Sequence, residues 1–398
     1  MNRRSFLQSV AGGAVCSSAA AQTGKPNFIV IFADDLGYGD LACYGSKTNE
    51  TPNLDRMASE GVRFTDFYVP MPFCAPSRAA LLTGRYPFRH VVNNPAPDSG
   101  INDVGLAPSE ITLAEALKPL GYATTCIGKW HLGHQPKFAP RKQGFDEYYG
   151  ILYSNDMRPV QLVENEQVAR YPVVQSGLTA DYTQHAVDFL QRNRSKPFFL
   201  YLPHAMPHKP LAASEEFYTP QKPGTLYSDV IRELDWSVGR ILQEVKDLGL
   251  EDKTLVMFLS DNGPWFGGST GGLRGMKAST FDGGIRVPFI ARWPGRIPAG
   301  GVTREVCASV DVFPTVCALA GAKLPSDRII DGLDIFPVMT SVNARSPHEA
   351  IFAMGGPLLR VVRSGKWKLH VRIPAPGPAV MDEASAAKWI DPRGPDGV

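Results

Sequence analysis

The sequence carries almost no excess charge: 41 Lys and Arg face 39 Asp and Glu, a net +2 at neutral pH. Nothing in that balance points to nucleic acid as a partner. Cysteine is sparse and scattered. The six residues, Cys16, Cys43, Cys74, Cys126, Cys307 and Cys317, include no C-x-x-C pair, which argues against a zinc or redox site. They also do not make the framework of a disulfide-stapled mini-protein. Past the N-terminus no apolar run is long enough to span a bilayer. Internal repeats, heptads and low-complexity tracts are missing too. What is there is an ordinary globular balance, 43% hydrophobic and 20% charged, in 398 residues. That length suffices for a large core and two or three domains. The 34 Pro and 38 Gly require many ordered loops.

Residues 1–21 read as an export signal rather than part of the fold. Asn2-Arg3-Arg4-Ser5-Phe6-Leu7 matches a twin-arginine motif, a weakly apolar stretch runs from Val10 to Val15, and Ala19-Ala20-Ala21 is a small-residue cleavage site. A periplasmic destination follows. Val15-Cys16 fits a lipoprotein acylation site poorly. Removing the leader and setting Cys74 aside leaves Cys43, Cys126, Cys307 and Cys317, expected as four buried thiols with room for one disulfide.

Asn27–Ala33 is a continuous apolar run, as a strand buried on both faces requires. Thr51-Pro52 opens a helix to Glu60, with the Thr51 hydroxyl as its cap. Thr112-Leu113-Ala114-Glu115 is a capping box for a helix ending near Gly121. Further strands are expected at Tyr122–Ile127, Phe198–Leu202, Thr254–Leu259 and Val287–Ala291, and helices at Asp181–Arg194 and Leu226–Leu248. This alternation predicts an α/β fold: a mostly parallel sheet between helices, over residues 25–345. From residue 346 a small antiparallel C-terminal subdomain is expected, opening with a hairpin of Leu359–Arg363 and Lys366–Val371. Its Pro-, Gly- and Asp-rich continuation to Val398 reads as a truncated form of such a unit.

Sites in open α/β sheets form at the carboxyl ends of strands. Here those ends are followed by Asp34-Asp35, by Gly128-Lys129-Trp130-His131, by His204 and His208, and by Asp261-Asn262. Adjacent buried carboxylates repel one another, and a divalent cation resolves this. Carboxylate and amide oxygens favour Ca2+ or Mg2+ over Zn2+. Alone, each pair is also a solvated turn, and Lys129 and His131 serve equally as an interface lysine and a loop histidine. Arg78 lies one helical turn beyond Cys74, with Ser77 placed to cap that helix.

Cys74-Ala75-Pro76-Ser77-Arg78, continued as Ala79-Ala80-Leu81-Leu82-Thr83-Gly84-Arg85, reads C-x-P-S-R-x-x-L-x-T-G-R. From average usage C-x-P-S-R arises by chance in roughly one chain in a thousand of this length. The pattern resembles the signature of the type I sulfatases, of alkaline phosphatase-like fold, and the other motifs follow in the family's order from Lys25 to Leu369. The resemblance implies that a maturating enzyme oxidises Cys74 to formylglycine, whose hydrate is the nucleophile. It implies a Ca2+ site, ahead of Mg2+, of Asp34, Asp35, residue 74, Asp261 and Asn262. Arg78 would anchor the hydrate, and Lys129 and Lys277 would neutralise the sulfuryl oxygens. His208 would protonate the leaving alcohol, His131 would help expel sulfate, and Ser154 would lie near the sulfate. Arg85 is expected to be structural, and His204 to support the site or sit as a satisfied loop histidine.

The implied activity is hydrolysis of a sulfate ester, expected on a sulfated carbohydrate. A formylglycine-dependent phosphodiesterase or phosphonate hydrolase, and a non-catalytic sulfated-glycan-binding protein, are the alternatives. Replacing Arg3 and Arg4 with Lys should strand folded precursor in the cytoplasm on cell fractionation. An unchanged periplasmic yield would contradict this export route.

Overall fold

A computed structural model describes residues 24–90, 92, 103–219 and 226–372. The leader with Arg3, Arg4 and Cys16, and the tail beyond 372, lie outside the described residues. Ten strands form one sheet: β1 Asn27–Ala33, β2 Val62–Phe64, β3 Ala123–Lys129, β4 Glu147–Ile151, β5 Leu162–Glu164, β6 Gln167–Arg170, β7 Phe198–Pro203, β8 Thr254–Ser260, β9 Phe289–Arg292 and β10 Gly301–Thr303. Their order is β10-β2-β9-β8-β1-β7-β3-β4-β5-β6. The central five, β8-β1-β7-β3-β4, are parallel. β9 runs antiparallel to both its neighbours, and β5 and β6 close the far edge as antiparallel strands.

The alternation along β1 sorts the core into two layers. Phe28, Val30 and Phe32 face one side, where they meet helices α2 (Cys74–Thr83), α3 (Leu113–Leu117) and α6 (Val312–Ala320). Ile29, Ile31 and Ala33 face the other, with α1 (Pro52–Ser59), α4 (Leu178–Asn193) and α5 (Leu226–Asp247). All seven residues of β1 are buried, which a central strand covered on both faces requires. No described helix is long and apolar enough to cross a membrane.

The C-terminal strands β11 (Ile351–Gly355), β12 (Leu358–Ser364) and β13 (Trp367–His370) form a separate antiparallel sheet. It docks near the site: Lys368 Nζ, on β13, donates to Asp282 Oδ1 (2.5 Å) and to the Thr280 carbonyl (3.0 Å). Among the described residues every cysteine is free. Cys126, Cys307 and Cys317 are buried as expected, but Cys43 is only half-buried.

Two expected caps differ in the structure. The Thr112–Glu115 capping box forms in full. Thr51, by contrast, does not cap α1 with its side chain; its Oγ1 accepts from Ala42 N–H (2.9 Å) and donates to Asp55. The cap comes from across the fold. Asp235 on α5 accepts from Asn53 N–H (3.1 Å) and Asn53 Nδ2 (2.8 Å) on one oxygen, and from Leu54 N–H (2.8 Å) on the other. Nor does Ser77 cap α2. The helix already begins at Cys74, which leaves Ser77 in its first turn, its hydroxyl buried and without a hydrogen bond.

Asp235→Ala removes three acceptor contacts at a buried helix start. It should destabilise the fold by about 1–3 kcal/mol, measured as a lower urea midpoint at unchanged slope. A midpoint within error of the parent would show that α1 is capped by other means.

Candidate active site

Five adjacent parallel strands deliver side chains to one edge, and the ends of two of them are tied together. Past β1 and β8, Asp35 N–H donates to Asp261 Oδ1 (3.1 Å) and Leu36 N–H to Ser260 Oγ (3.0 Å). Asp35 takes a left-handed backbone, φ 63°, which costs a non-glycine residue energy and is held there by its neighbours. His131 past β3 (φ 58°) and Ala278 beside Lys277 (φ 71°) do the same. Of the four such residues in the described chain three therefore border the site, where backbone strain concentrates in functional proteins.

Cys74 opens α2, with its Sγ 3.2 Å from Asp34 Oδ1 and 3.8 Å from Asp35 Oδ1. Arg78, one turn on, donates through Nε (3.1 Å) and Nη2 (2.7 Å) to Asp261 Oδ2, and through Nη1 to the Lys129 carbonyl (3.0 Å). Its Nη2 is also 3.6 Å from Asp34 Oδ1. Lys129 Nζ donates to Asp34 Oδ2 (2.5 Å) and to Ser154 Oγ (2.9 Å). Lys277 Nζ donates to Asp35 Oδ2 (2.7 Å), and Asn262 Nδ2 to Asp35 Oδ1 (2.7 Å). Asp34, Arg78, Lys129, Asp261 and Asn262 are wholly buried. A buried ion pair rarely repays its desolvation, several kcal/mol per ion. Three carboxylates and three cations packed here are therefore explained by chemistry rather than by stability.

The electrostatics follow from this packing. Burial pushes the Asp34 carboxyl up, but Lys129, His208, Arg78 and Lys277 together hold it well below the ordinary value. Asp261 goes the other way, to about 7, because burial and the charges of Asp34 and Asp35 outweigh Arg78. Burial, then Asp261 and Asp34, push the Cys74 thiol well up, so the sulfur is a neutral thiol and a poor nucleophile.

His208 Nδ1 sits beside the Lys209 carbonyl (2.6 Å), Asn155 Oδ1 (3.0 Å) and Ser154 Oγ (3.4 Å). Two of these can only accept, so Nδ1 carries the proton. Nε2 then faces Asp35 Oδ2 at 3.7 Å. Burial and Lys277 lower the His208 pKa. His131 lies beside the network but bonds none of it: both ring nitrogens are buried without a partner, and burial, Lys129 and Arg78 hold its pKa well down. His204 is held apart from the charges, with Nε2 3.3 Å from Ser237 Oγ and its pKa lowered to about 3 by burial. Arg85 pairs with Glu110 (2.7 Å), away from the cluster.

The residues fit a bound cation. Asn262 Oδ1 is buried with no donor near it, an acceptor left for something else. Ligand atoms of Asp34, Asp35, Cys74 and His208 lie within 4.8 Å of one another. Asp261 stands slightly back, its oxygens taken by Arg78 and by Asp35 N–H.

Two contributors were not legible in the sequence. Asn155 orients His208, and its only signal was its place beside Ser154. Asp40 ties down the loop that carries Lys277: Oδ1 accepts from Ser269 N–H (2.7 Å), and Oδ2 from Gly37 N–H (2.7 Å) and Tyr227 OH (2.6 Å). Gly39 N–H adds a bond to the Ser269 carbonyl (2.8 Å). The approach is close enough that a Cβ on Gly37 would stand 2.2 Å from that carbonyl oxygen.

A parallel sheet with such a charged, water-poor edge, of alkaline phosphatase-like architecture, defines an ester hydrolase. A family model described as Sulfatase matches residues 26–322. The chain is 42% identical over 384 residues to N-acetylgalactosamine-6-sulfatase of Canis lupus familiaris, spanning 88% of this chain and 73% of that one. Over 404 residues it is 40% identical to arylsulfatase A of Homo sapiens, spanning 92% and 78%. Among solved structures, Ps i-CgsB in complex with k-i-k-neocarrahexaose superposes with a TM-score of 0.80 at 34% identity, covering 86% of this chain and 83% of that one. The chain belongs to the sulfatase family and is a sulfuric ester hydrolase.

Asp40→Asn places an amide N–H against one of the donors that Asp40 now accepts from, loosening the Lys277 loop. Sulfatase kcat/KM should fall about 10- to 100-fold, and little further when combined with Lys277→Ala. Fully additive losses would show that Asp40 acts elsewhere.

Proposed function

We propose that this sulfatase cleaves sulfate esters on a sulfated carbohydrate, with a nucleophile made from Cys74 beside a Ca2+ held by Asp34, Asp35, Asp261 and Asn262. The observation that carries this is the position of Cys74: its sulfur opens α2 within 3.8 Å of two carboxylates in a cluster rich in cations. A buried neutral thiol has no evident task there in ester hydrolysis. Its sulfur stands where the oxygens of a formylglycine hydrate would lie. When bound and formed, the ion and the hydrate supply an activated hydroxyl nucleophile. All-oxygen donors with an unsatisfied amide oxygen suit Ca2+ ahead of Mg2+.

The remaining roles belong to the chain's own side chains. Arg78 sits one turn from residue 74, fixed by two bonds to Asp261, and holds the modified side chain in place. Lys129 and Lys277 reach the site from opposite sides and neutralise the sulfuryl oxygens as charge builds up. Ser154 binds Lys129 and stands next to His208, so it orients both. With Nδ1 engaged as a donor, His208 delivers the proton to the leaving alcohol from Nε2. His131, neutral and without a partner, is free to take a proton from residue 74 as sulfate leaves.

A carbohydrate substrate is supported by the relatives: one is named for N-acetylgalactosamine 6-sulfate chemistry, and the Ps i-CgsB structure holds k-i-k-neocarrahexaose. The reading includes a catalytic unit over 25–345, a small subdomain from 346, export through the Arg3-Arg4 leader, and a maturating enzyme acting on Cys74.

Chelation should abolish turnover of a sulfated sugar, and Ca2+ should restore it better than Zn2+. Full activity in demonstrably metal-free protein would sink the metal assignment. Cys74→Ala should fold, keep weaker metal binding and lose nearly all turnover. A phosphate ester hydrolysed faster than its sulfate analogue would favour the phosphodiesterase alternative.

A further inference from the structure

With residue 74 still a thiol, the site offers a different ligand set from that of the modified enzyme. Cys74 Sγ, Asp34 Oδ1, Asp35 and His208 Nε2 converge, with ligand atoms within 4.8 Å of one another. Cys74 Sγ lies 3.2 Å from Asp34 Oδ1 and 3.8 Å from Asp35 Oδ1, and His208 Nε2 lies 3.7 Å from the other Asp35 oxygen, Oδ2. Tetrahedral zinc with bonds of about 2.0–2.3 Å places its ligand atoms about 3.3–3.6 Å apart. With every pair within 4.8 Å, the four groups need shifts of at most about 1 Å to close around one ion.

The surroundings suit it as well. A zinc-bound imidazole is oriented by a hydrogen bond from its other nitrogen, and His208 Nδ1 is already held by Asn155 and the Lys209 carbonyl. Each aspartate keeps one oxygen on a lysine, Asp34 on Lys129 and Asp35 on Lys277, with the other facing the sulfur; the sulfur-facing oxygen of Asp35 also accepts from Asn262 Nδ2 (2.7 Å), a bond that a zinc ion on it would replace. Sequence spacing gave no zinc motif because the four ligands come from three separate segments of the chain.

We propose that the unmodified chain is a zinc-binding protein, in which Asp34, Asp35, Cys74 and His208 form a four-ligand Zn2+ site that conversion of Cys74 removes. Zn2+ binding displaces the thiol proton to solvent and forms a sulfur–zinc bond; no oxidant or reductant takes part. Conversion replaces the one soft ligand with oxygen, so the preference passes to hard cations. The chemical state of residue 74 thus selects the metal. This rests on the Ca2+ reading only for the modified form.

The test uses full-length chain made without the maturating enzyme, with Cys74 verified as a thiol by mass and then stripped of metal. Titration with Zn2+ against a chromophoric chelator should show one tight site per chain, and Co2+ should give a sulfur-to-cobalt charge-transfer band in the near ultraviolet. Cys74→Ala should lose the band and the tight site while keeping its thermal unfolding midpoint. That variant also accounts for the remaining cysteines. Asn155→Ala should weaken zinc about 10- to 100-fold and keep the band. Absence of the band, or equal zinc affinity in Cys74→Ala, overturns the proposal. Either result leaves Ca2+-dependent turnover of the modified enzyme untouched, whereas loss of that dependence would strike the functional reading alone.

Discussion

Three carboxylates at the ends of two neighbouring parallel strands set the terms for everything else at this edge of the sheet. Asp34 and Asp35 end β1 and Asp261 ends β8, and Asp35 N–H is bonded to Asp261 itself. Left alone, three buried negative charges at this range would be untenable. Arg78, Lys129 and Lys277 answer them from a helix, a strand end and a loop. The same set of opposed charges that makes the site costly to fold supports the proposed reading of it as a receptor for a cation and a tetrahedral oxyanion.

The fold exists to hold that arrangement rigid. β1 is buried on both faces, so its end cannot move without disturbing both core layers. α2 presents Cys74 from its first turn, and Arg78 one turn later is locked between Asp261 and a β3 carbonyl. Lys277, on a glycine-rich loop, is the most exposed of the charged residues, its side chain 13% accessible. That loop is fastened at both ends: Lys277 N–H bonds the Pro264 carbonyl (2.9 Å) and Ala278 N–H the Pro72 carbonyl (3.0 Å), just ahead of Cys74. Asp40 and Tyr227 secure its far side.

Local pattern made much of this legible. The apolar run Asn27–Ala33 is a strand over its whole length, the Thr112 capping box forms, and the C-terminal hairpin is present with one more strand beside it. The sequence also brought Asp34, Asp35, Cys74, Arg78, Lys129, Ser154, His208, Asp261, Asn262 and Lys277 into consideration, and the fold gathers them into one network. What escaped depends on partners distant in the chain. A local Thr51 or Ser77 cap is a reasonable expectation, but Asp235 reaches α1 from α5, and α2 starts four residues before a Ser77 cap would place it, at Cys74. The antiparallel direction of β9 is set by its neighbours, since Val287–Ala291 reads as a strand in either direction. Asn155 and Asp40 carry no motif, because their work is done through hydrogen bonds to residues far away.

The account stands on the chemical state of residue 74. The most direct measurement is the mass of the peptide containing it, taken from preparations of differing specific activity, with hydrazide labelling of the intact protein alongside. The account predicts an aldehyde at position 74 whose fraction rises in proportion to turnover, reaching zero activity where only the thiol is found. Full sulfate-ester hydrolysis by protein whose residue 74 is shown to be an unmodified thiol would contradict it.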